Sequence, residues 1–384
     1  MRSNSGVSRI AGNLSARRCL LRAALLLPLS RALAAGGAPS DVASTPSRRL
    51  AFPDAFGAHP ETRIEWWYIT GWLAPAAAAA NGEPRFGFQV TFFRSRTDVP
   101  GDQPSAFAAR QLVFAHAALS ELATRRLRHD ERIARAGFGI AEAAVGDTQL
   151  KLRDWTLQRS GPAQRSIYRT RVASDSAAFA LELQLAATQP VLLQGDAGWS
   201  RKGPHAAQAS WYYSQPQLDA TGTLELDGHS HAVRGRAWFD HEWSDSLLDA
   251  QAVGWDWIGI NLDDGGALTA FRLRRADGSA LWAGGSFRAP GGAARSFAPE
   301  EVTFTPGRRW TSPATQASYP VQWTVVTPAG TFSVRPRFDA QELDGRSSTG
   351  TVYWEGLCDL LDAAGRVIGR GYLEMTGYAG RLRL

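Results

Sequence analysis

From Phe52 onward, apolar residues recur at every second position in runs of four to nine residues rich in aromatic and β-branched side chains. Examples are Trp66–Leu73, Phe86–Arg94, Val233–Phe239, Trp255–Leu262, Thr331–Pro336 and Val352–Leu360. A two-residue period places alternate side chains on opposite faces of a pleated strand. Between the runs stand turn-forming pairs, Asn81-Gly82, Asp227-Gly228, Asp264-Gly265-Gly266, Asp277-Gly278 and Ala364-Gly365, as expected of hairpins. A 3.6-residue period is suggested only over short pieces, Thr188–Leu193 and Ser246–Val253, each read as a possible single helical turn. Gly284–Ala294 and Arg295–Pro306 read as exposed insertions, and Ala74–Ala80 as a loop. The pattern predicts an all-β chain of sandwich or barrel class.

A long-range echo refines this. EWWYITGWL, a loop and FGFQVTFFRSR near the start match GWDWIGINL, a DDGG turn and ALTAFRLRR later. Each is a tryptophan-bearing strand, a connection, and an alternating strand ending in arginine. A duplicated unit fits, with a seam near Gln217–His231. The expected divisions are a leader over 1–34, a small polar linker over 35–50, and domains over 51–230 and 231–384.

Charge then narrows the partners. The chain of 384 residues carries 42 basic and 36 acidic groups, yet six arginines and no acid lie in residues 1–34. The remaining 36 basic residues equal the 36 acids, so without that leader the protein is neutral and a nucleic-acid partner is not indicated. The leader has a charged start, a short apolar run over Ala23–Leu29 and an Ala32-Leu33-Ala34 cleavage pattern, the layout of a secretion signal. Its Arg17-Arg18 followed by Leu20-Leu21-Arg22 resembles a twin-arginine signal, with the ordinary secretory route as the alternative. The run is too short for a permanent membrane anchor. A periplasmic or secreted location is therefore expected. Outside the leader only Cys358 remains, which rules out an intrachain disulfide and reads as a small buried apolar residue.

Candidate chemistry concentrates where acids meet aromatics. All fourteen tryptophans lie beyond the leader. Within AWFDHEWSDS (237–246), alternation puts Phe239, His241 and Trp243 on one face and Trp238, Asp240 and Glu242 on the other. In the same way Trp255 and Trp257 share a face opposite Asp256. Two readings stay open: aromatics lining an apolar ligand cavity inside a barrel, or plain core. Glu65, Asp240, Glu242 and Asp256 each adjoin a tryptophan. Burial would raise their pKa and make them proton donors, whereas the plainer reading pairs them with Arg63, Arg94, Arg236, Arg272 or Arg274. No zinc-protease, nucleophile-elbow, P-loop or dinucleotide motif occurs. His229-Ser230-His231 reads as an exposed hairpin rather than a metal site, and His116 as a satisfied core histidine. No metal and no cofactor is expected.

The blocks FPDAFGAHPETRIEWWYITGWL, FGFQVTFFRSR, YYSQPQL, GRAWFDHEW, GWDWIGINLDDG, YWEGLCDL and GYLEMTGY resemble the carotenoid 1,2-hydratase/AttH-like family over residues 50–380, nearer its secreted AttH-like branch. The resemblance implies two tandem lipocalin-like antiparallel β-barrels. For the hydratases it implies water addition to an isoprenoid double bond without a redox cofactor. Asp256 is then the candidate acid, with His241, Asp240 and Glu65 in support. Trp66, Trp67, Tyr212, Trp243, Trp255 and Trp257 are the candidate ligand-binding residues. The AttH-like branch also implies a possible association with an ABC-type export system for apolar molecules. Three readings follow: an exported binder of a lipid or terpenoid, a hydro-lyase on an isoprenoid alkene, or a structural envelope protein.

Overall fold

The computed structural model describes residues 49–78, 82–100, 102–245 and 248–382; the expected leader and nearly all of the linker lie outside these. Alternation produces strands wherever the apolar face finds a partner. The first sheet has thirteen: β1 (Ile64–Pro75), β2 (Phe86–Arg96), β3 (Gln111–Glu121), β4 (Arg126–Arg135), β5 (Ala141–Ala143), β6 (Gln149–Leu152), β7 (Trp155–Ser160), β8 (Ile167–Ser174), β9 (Phe179–Ala186), β10 (Leu192–Leu193), β11 (Trp199–Arg201), β12 (Ala209–Leu226) and β13 (His229–Ser244). The second sheet has ten: β14 (Gly254–Leu262), β15 (Ala267–Arg274), β16 (Ala280–Arg288), β17 (Ala294–Phe297), β18 (Thr303–Pro306), β21 (Trp323–Thr327), β22 (Gly330–Pro336), β23 (Glu342–Gly345), β24 (Thr351–Leu361) and β25 (Val367–Met375). A small ribbon, β19 (Trp310–Thr311) with β20 (Ser318–Tyr319), stands apart. Both sheets belong to one compact unit.

The two sheets share one connectivity, which is the structural form of the sequence echo. In each, the first strand lies between the second and the last: β1 pairs β2 and β13, and β14 pairs β15 and β25. This is the tandem lipocalin-like, all-antiparallel architecture. In the first sheet the edge strand β4 is fastened by side chains rather than by a ladder. Arg132 donates to the Ala173 carbonyl (2.8 Å) and lies 4.3 Å over Trp155, while Arg128 grips Asp227 (2.7 and 2.8 Å) and Glu121 (2.6 Å). In the second, the edges β17 and β18 are joined by the short 3₁₀ turn Pro299–Glu301. Unpaired edges are thereby covered.

Three differences from the sequence reading have physical reasons. The seam expected near 217–231 cuts the β12–β13 hairpin, whose turn at Asp227 (φ 50°) and Gly228 (φ 79°) keeps both strands in the first sheet; the chain changes sheets between Ser244 and Gly254. Thr188–Leu193 and the described part of 246–253 are not helical: Leu192–Leu193 pair with β12 as β10, and Leu192 and Ala252 are buried in an apolar cluster between the two sheets. The expected insertions over 284–306 hold the end of β16 and the edge strands β17 and β18, the last two too short and polar to show a clear alternation.

Side chains fill both barrels. Trp67, Ile69, Phe88, Phe92, Trp155, Tyr168 and Phe239 pack the first, and Ile258, Ile260, Trp323, Trp354, Cys358 and Leu373 the second, all essentially inaccessible. The aromatic interior residues named here are packed as core. A third apolar cluster, including Tyr68, Trp72, Trp238, Trp257, Phe271 and Tyr372, is built from the outer faces of both barrels pressed together. Among the described residues no helix is long and apolar enough to cross a membrane.

Candidate active site at the seam between the barrels

Strand β13 carries two different sites on its two faces. Its odd-numbered side chains point into the first barrel. There Glu65, opposite Trp243 in the β1–β13 register, accepts from His59 Nδ1 (2.8 Å), His241 Nε2 (2.9 Å), the His59 backbone N–H (2.9 Å) and Arg94 Nε (2.7 Å). Arg94 also donates to the His59 carbonyl and to Thr62. His59 stacks on Trp243 (3.8 Å, 5°), and His241 stacks on Trp67 (4.6 Å) while sharing a 3.1 Å hydrogen bond with Tyr213. Burial alone would raise the Glu65 carboxyl, but hydrogen bonds from His241 and His59 bring it down to about 2. Burial holds His241 at about 4 against the pull of Glu65. His59, Glu65 and His241 offer ligand atoms within 4.8 Å of one another, yet those atoms are already spent on each other and on a guanidinium. This donor set fits an ion-paired structural knot.

The even-numbered side chains of β13 point outward, into the seam. Asp240 accepts from Tyr212 Oη (2.8 Å), Trp238 Nε1 (2.7 Å) and Ser214 Oγ. Facing it across the seam are Glu374 on β25 and Glu355 on β24, directly opposite each other in register. Tyr68, Tyr353 and Tyr372 share this buried space. Asp240, Glu355 and Glu374 have no cationic partner among the described residues, and Glu355 Oε1 has no hydrogen-bond partner at all. Glu242 alone is paired, to Lys202 (3.0 Å) and Ser210. Burial raises Asp240 to about 7 against its three donors. Burial and mutual repulsion likewise hold Glu355 and Glu374 well above the ordinary carboxylate range. Desolvation without a counter-charge favours the protonated form, so the seam is a store of carboxyls biased towards holding a proton.

A cleft of about 410 Å³ opens beside this store. Trp199, Tyr212, Phe271, Trp282 and Phe297 line it, with the Lys202 ammonium 4.6 Å from the Tyr212 ring and 4.3 Å from that of Phe271. Tyr212 is both cleft wall and hydrogen-bond partner of Asp240, which links the open space to the buried acid.

The expected site residues divide. Asp240, Tyr212, Trp66, Trp255 and Trp257 meet at the seam, whereas Glu65, His241, Trp67 and Trp243 meet inside the first barrel. Asp256 joins neither. It points into the second barrel, where Arg272 Nε (2.8 Å), Arg274 (3.7 Å) and Tyr378 Oη (2.8 Å) surround it. The plain ion-pair reading describes it, and the arrangement there offers no free proton donor. Sequence reasoning missed Glu355, Glu374, Lys202 and His59. The first two stand in YWEGLCDL and GYLEMTGY, each with a tyrosine two residues away on the same face, which was the available signal. His116 is a satisfied core histidine, bonded to Tyr353 Oη and Ser348 Oγ (both 2.7 Å), and His229 and His231 are exposed on their hairpin.

Fold and site together define a tandem lipocalin-like β-protein with an acid-rich seam. Residues 43–378 match the AttH-like family model, and the chain belongs to that family. It is similar to the crystal structure of a putative AttH from Nitrosomonas europaea, with 46% identity over 87% of this chain and 98% of that one and a TM-score of 0.78. Kievitone hydratase from Nectria haematococca shares the fold at 14% identity (TM-score 0.65; 86% and 94% covered). So does CghA bound to Sch210972, at 13% identity (TM-score 0.52; 84% and 90% covered). No curated protein matches the sequence.

Proposed function

We propose that this protein takes an apolar, unsaturated molecule of lipid or isoprenoid type into the seam cleft and adds water to a double bond, with Asp240 as the acid. The observation that carries the reading is Asp240 itself: a buried carboxyl without a cation, joined by Tyr212 to the cleft wall. Tyr212 donates to Asp240 Oδ2 across a 2.8 Å contact; with that oxygen protonated the contact would reverse, Asp240 giving its proton to the Tyr212 oxygen as Tyr212 passes its own hydroxyl proton to the alkene carbon. Water adds to the resulting carbocation and returns a proton to the Asp240 carboxylate. The hydratase fold of a distant relative is consistent with this chemistry. Export, expected from the leader, would place it in the periplasm or outside the cell.

A second reading has an observation of its own. Both Asp240 oxygens are occupied by Tyr212, Trp238 and Ser214, and a cleft without a donor would serve an exported carrier, such as one delivering to an ABC-type system. The test is incubation of purified protein with acyclic isoprenoid alkenes in heavy-oxygen water. Labelled alcohol from the wild type, and none from an Asp240→Asn variant that still binds, supports hydration. A retained ligand with no labelled product from either supports the carrier.

A further inference from the structure

The cleft contains a cation that the protein leaves without a counter-ion. Arg94, Arg128, Arg159 and Arg272, all largely buried, each have a carboxylate partner. Arg201 has none among the described residues. Its guanidinium lies 4.9 Å over the Trp282 ring and donates only to the Gly203 and Pro204 carbonyls (2.9 and 2.8 Å), while its buried Nε has no partner. Its neighbour Lys202 is satisfied by Glu242. Asp196 also lines the cleft, but it is exposed and makes no ion pair with Arg201. An arginine held over a tryptophan, with an N–H group unspent, is prepared for a planar oxyanion.

We propose that Arg201 anchors the head group of the ligand, which is therefore an amphipathic acid: an unsaturated apolar chain ending in a carboxylate. This rests on the seam cleft being the ligand site. The chain would lie along Trp282, Phe271 and Tyr212, which brings a double bond towards the Tyr212 hydroxyl while the carboxylate stays at Arg201.

The experiment is a titration of the protein with a fluorescent conjugated-polyene fatty acid and, separately, its methyl ester. It reads energy transfer from tryptophan, since Trp199 and Trp282 line the cleft. The wild type is expected to bind the acid about tenfold or more tightly than the ester, as a charge-assisted bond predicts, and added salt should weaken only the acid. Arg201→Gln should bind both probes as the wild type binds the ester. Equal wild-type binding of acid and ester overturns the anchor and leaves the cleft standing. Absence of transfer with both probes overturns the cleft and the anchor together. The salt comparison uses the wild type alone, so it stands if the variant does not fold.

Discussion

Replacing Asp240 by Asn should destabilise the protein slightly at pH 4 and stabilise it increasingly as the pH rises towards 8. In the folded protein burial holds the Asp240 carboxyl at about 7, against 3.8 in its ordinary state. Between those values the folded chain keeps a proton that the unfolded chain has released, so raising the pH favours unfolding. The penalty is nearly absent at pH 4 and complete by about pH 8, where three units correspond to roughly 4 kcal/mol. Asparagine escapes it. Its carbonyl still accepts from Trp238 and Ser214, its amide can donate to Tyr212, and the imperfect exchange costs about 1 kcal/mol. The expectation is a variant about 1 kcal/mol less stable at pH 4 and about 3 kcal/mol more stable at pH 8, read from urea midpoints. An effect independent of pH, or a loss that grows towards pH 8, would refute the reasoning, because Asp240 would then be a stabilising anion. A gain in stability combined with loss of hydration would mark a group retained for chemistry.

Other carboxyls should behave oppositely. Glu65→Gln leaves the buried Arg94 guanidinium uncompensated and should cost about 3–5 kcal/mol at neutral pH by denaturant titration. Asp256→Asn should cost a comparable amount through Arg272, about 3–5 kcal/mol at neutral pH; an unchanged or raised urea midpoint would contradict its assignment as an ion-pair residue. The stability contributed by His241, read as the difference between wild type and His241→Gln, should fall on acidification from pH 6.5 towards 4, as the unfolded chain protonates His241 while burial keeps the folded imidazole neutral, and that contributed by Glu65 should fall towards pH 2 as Glu65 protonates; a wild-type-minus-His241→Gln difference that is flat from pH 7 to 4 would exclude this. Tyr212→Phe should retain ligand and lose the labelled alcohol, and full activity in that variant would remove the relay.

The strands nearest their hairpin partners were legible because alternation is a local signal. Trp66–Leu73, Phe86–Arg94 and Trp255–Leu262 became β1, β2 and β14 with small extensions, and the faces assigned to Asp240 and His241 are the faces observed. The Asp256–Arg272 pair was also within reach. The turn at Asp264-Gly265-Gly266 sets the β14–β15 register, which places Arg272 opposite Asp256. Glu355 and Glu374 were hidden for a different reason. They lie on the outer faces of their strands, where an acid ordinarily meets water, and only the docking of one barrel's outside against the other's buries them. No local pattern records that docking. The cavity expected inside a barrel moved to the seam for the same reason: alternation reports that a strand has an apolar face, not whether the space before it is filled.

The most direct test is infrared difference spectroscopy of wild type against Asp240→Asn across pH. A protonated-carboxyl C=O band that is present in the wild type at pH 6, lost on titration near 7 and absent from the variant is the predicted result. Identical carbonyl regions for the two proteins at pH 6 would mean that Asp240 is ionised, and the seam would then hold no neutral acid at that position.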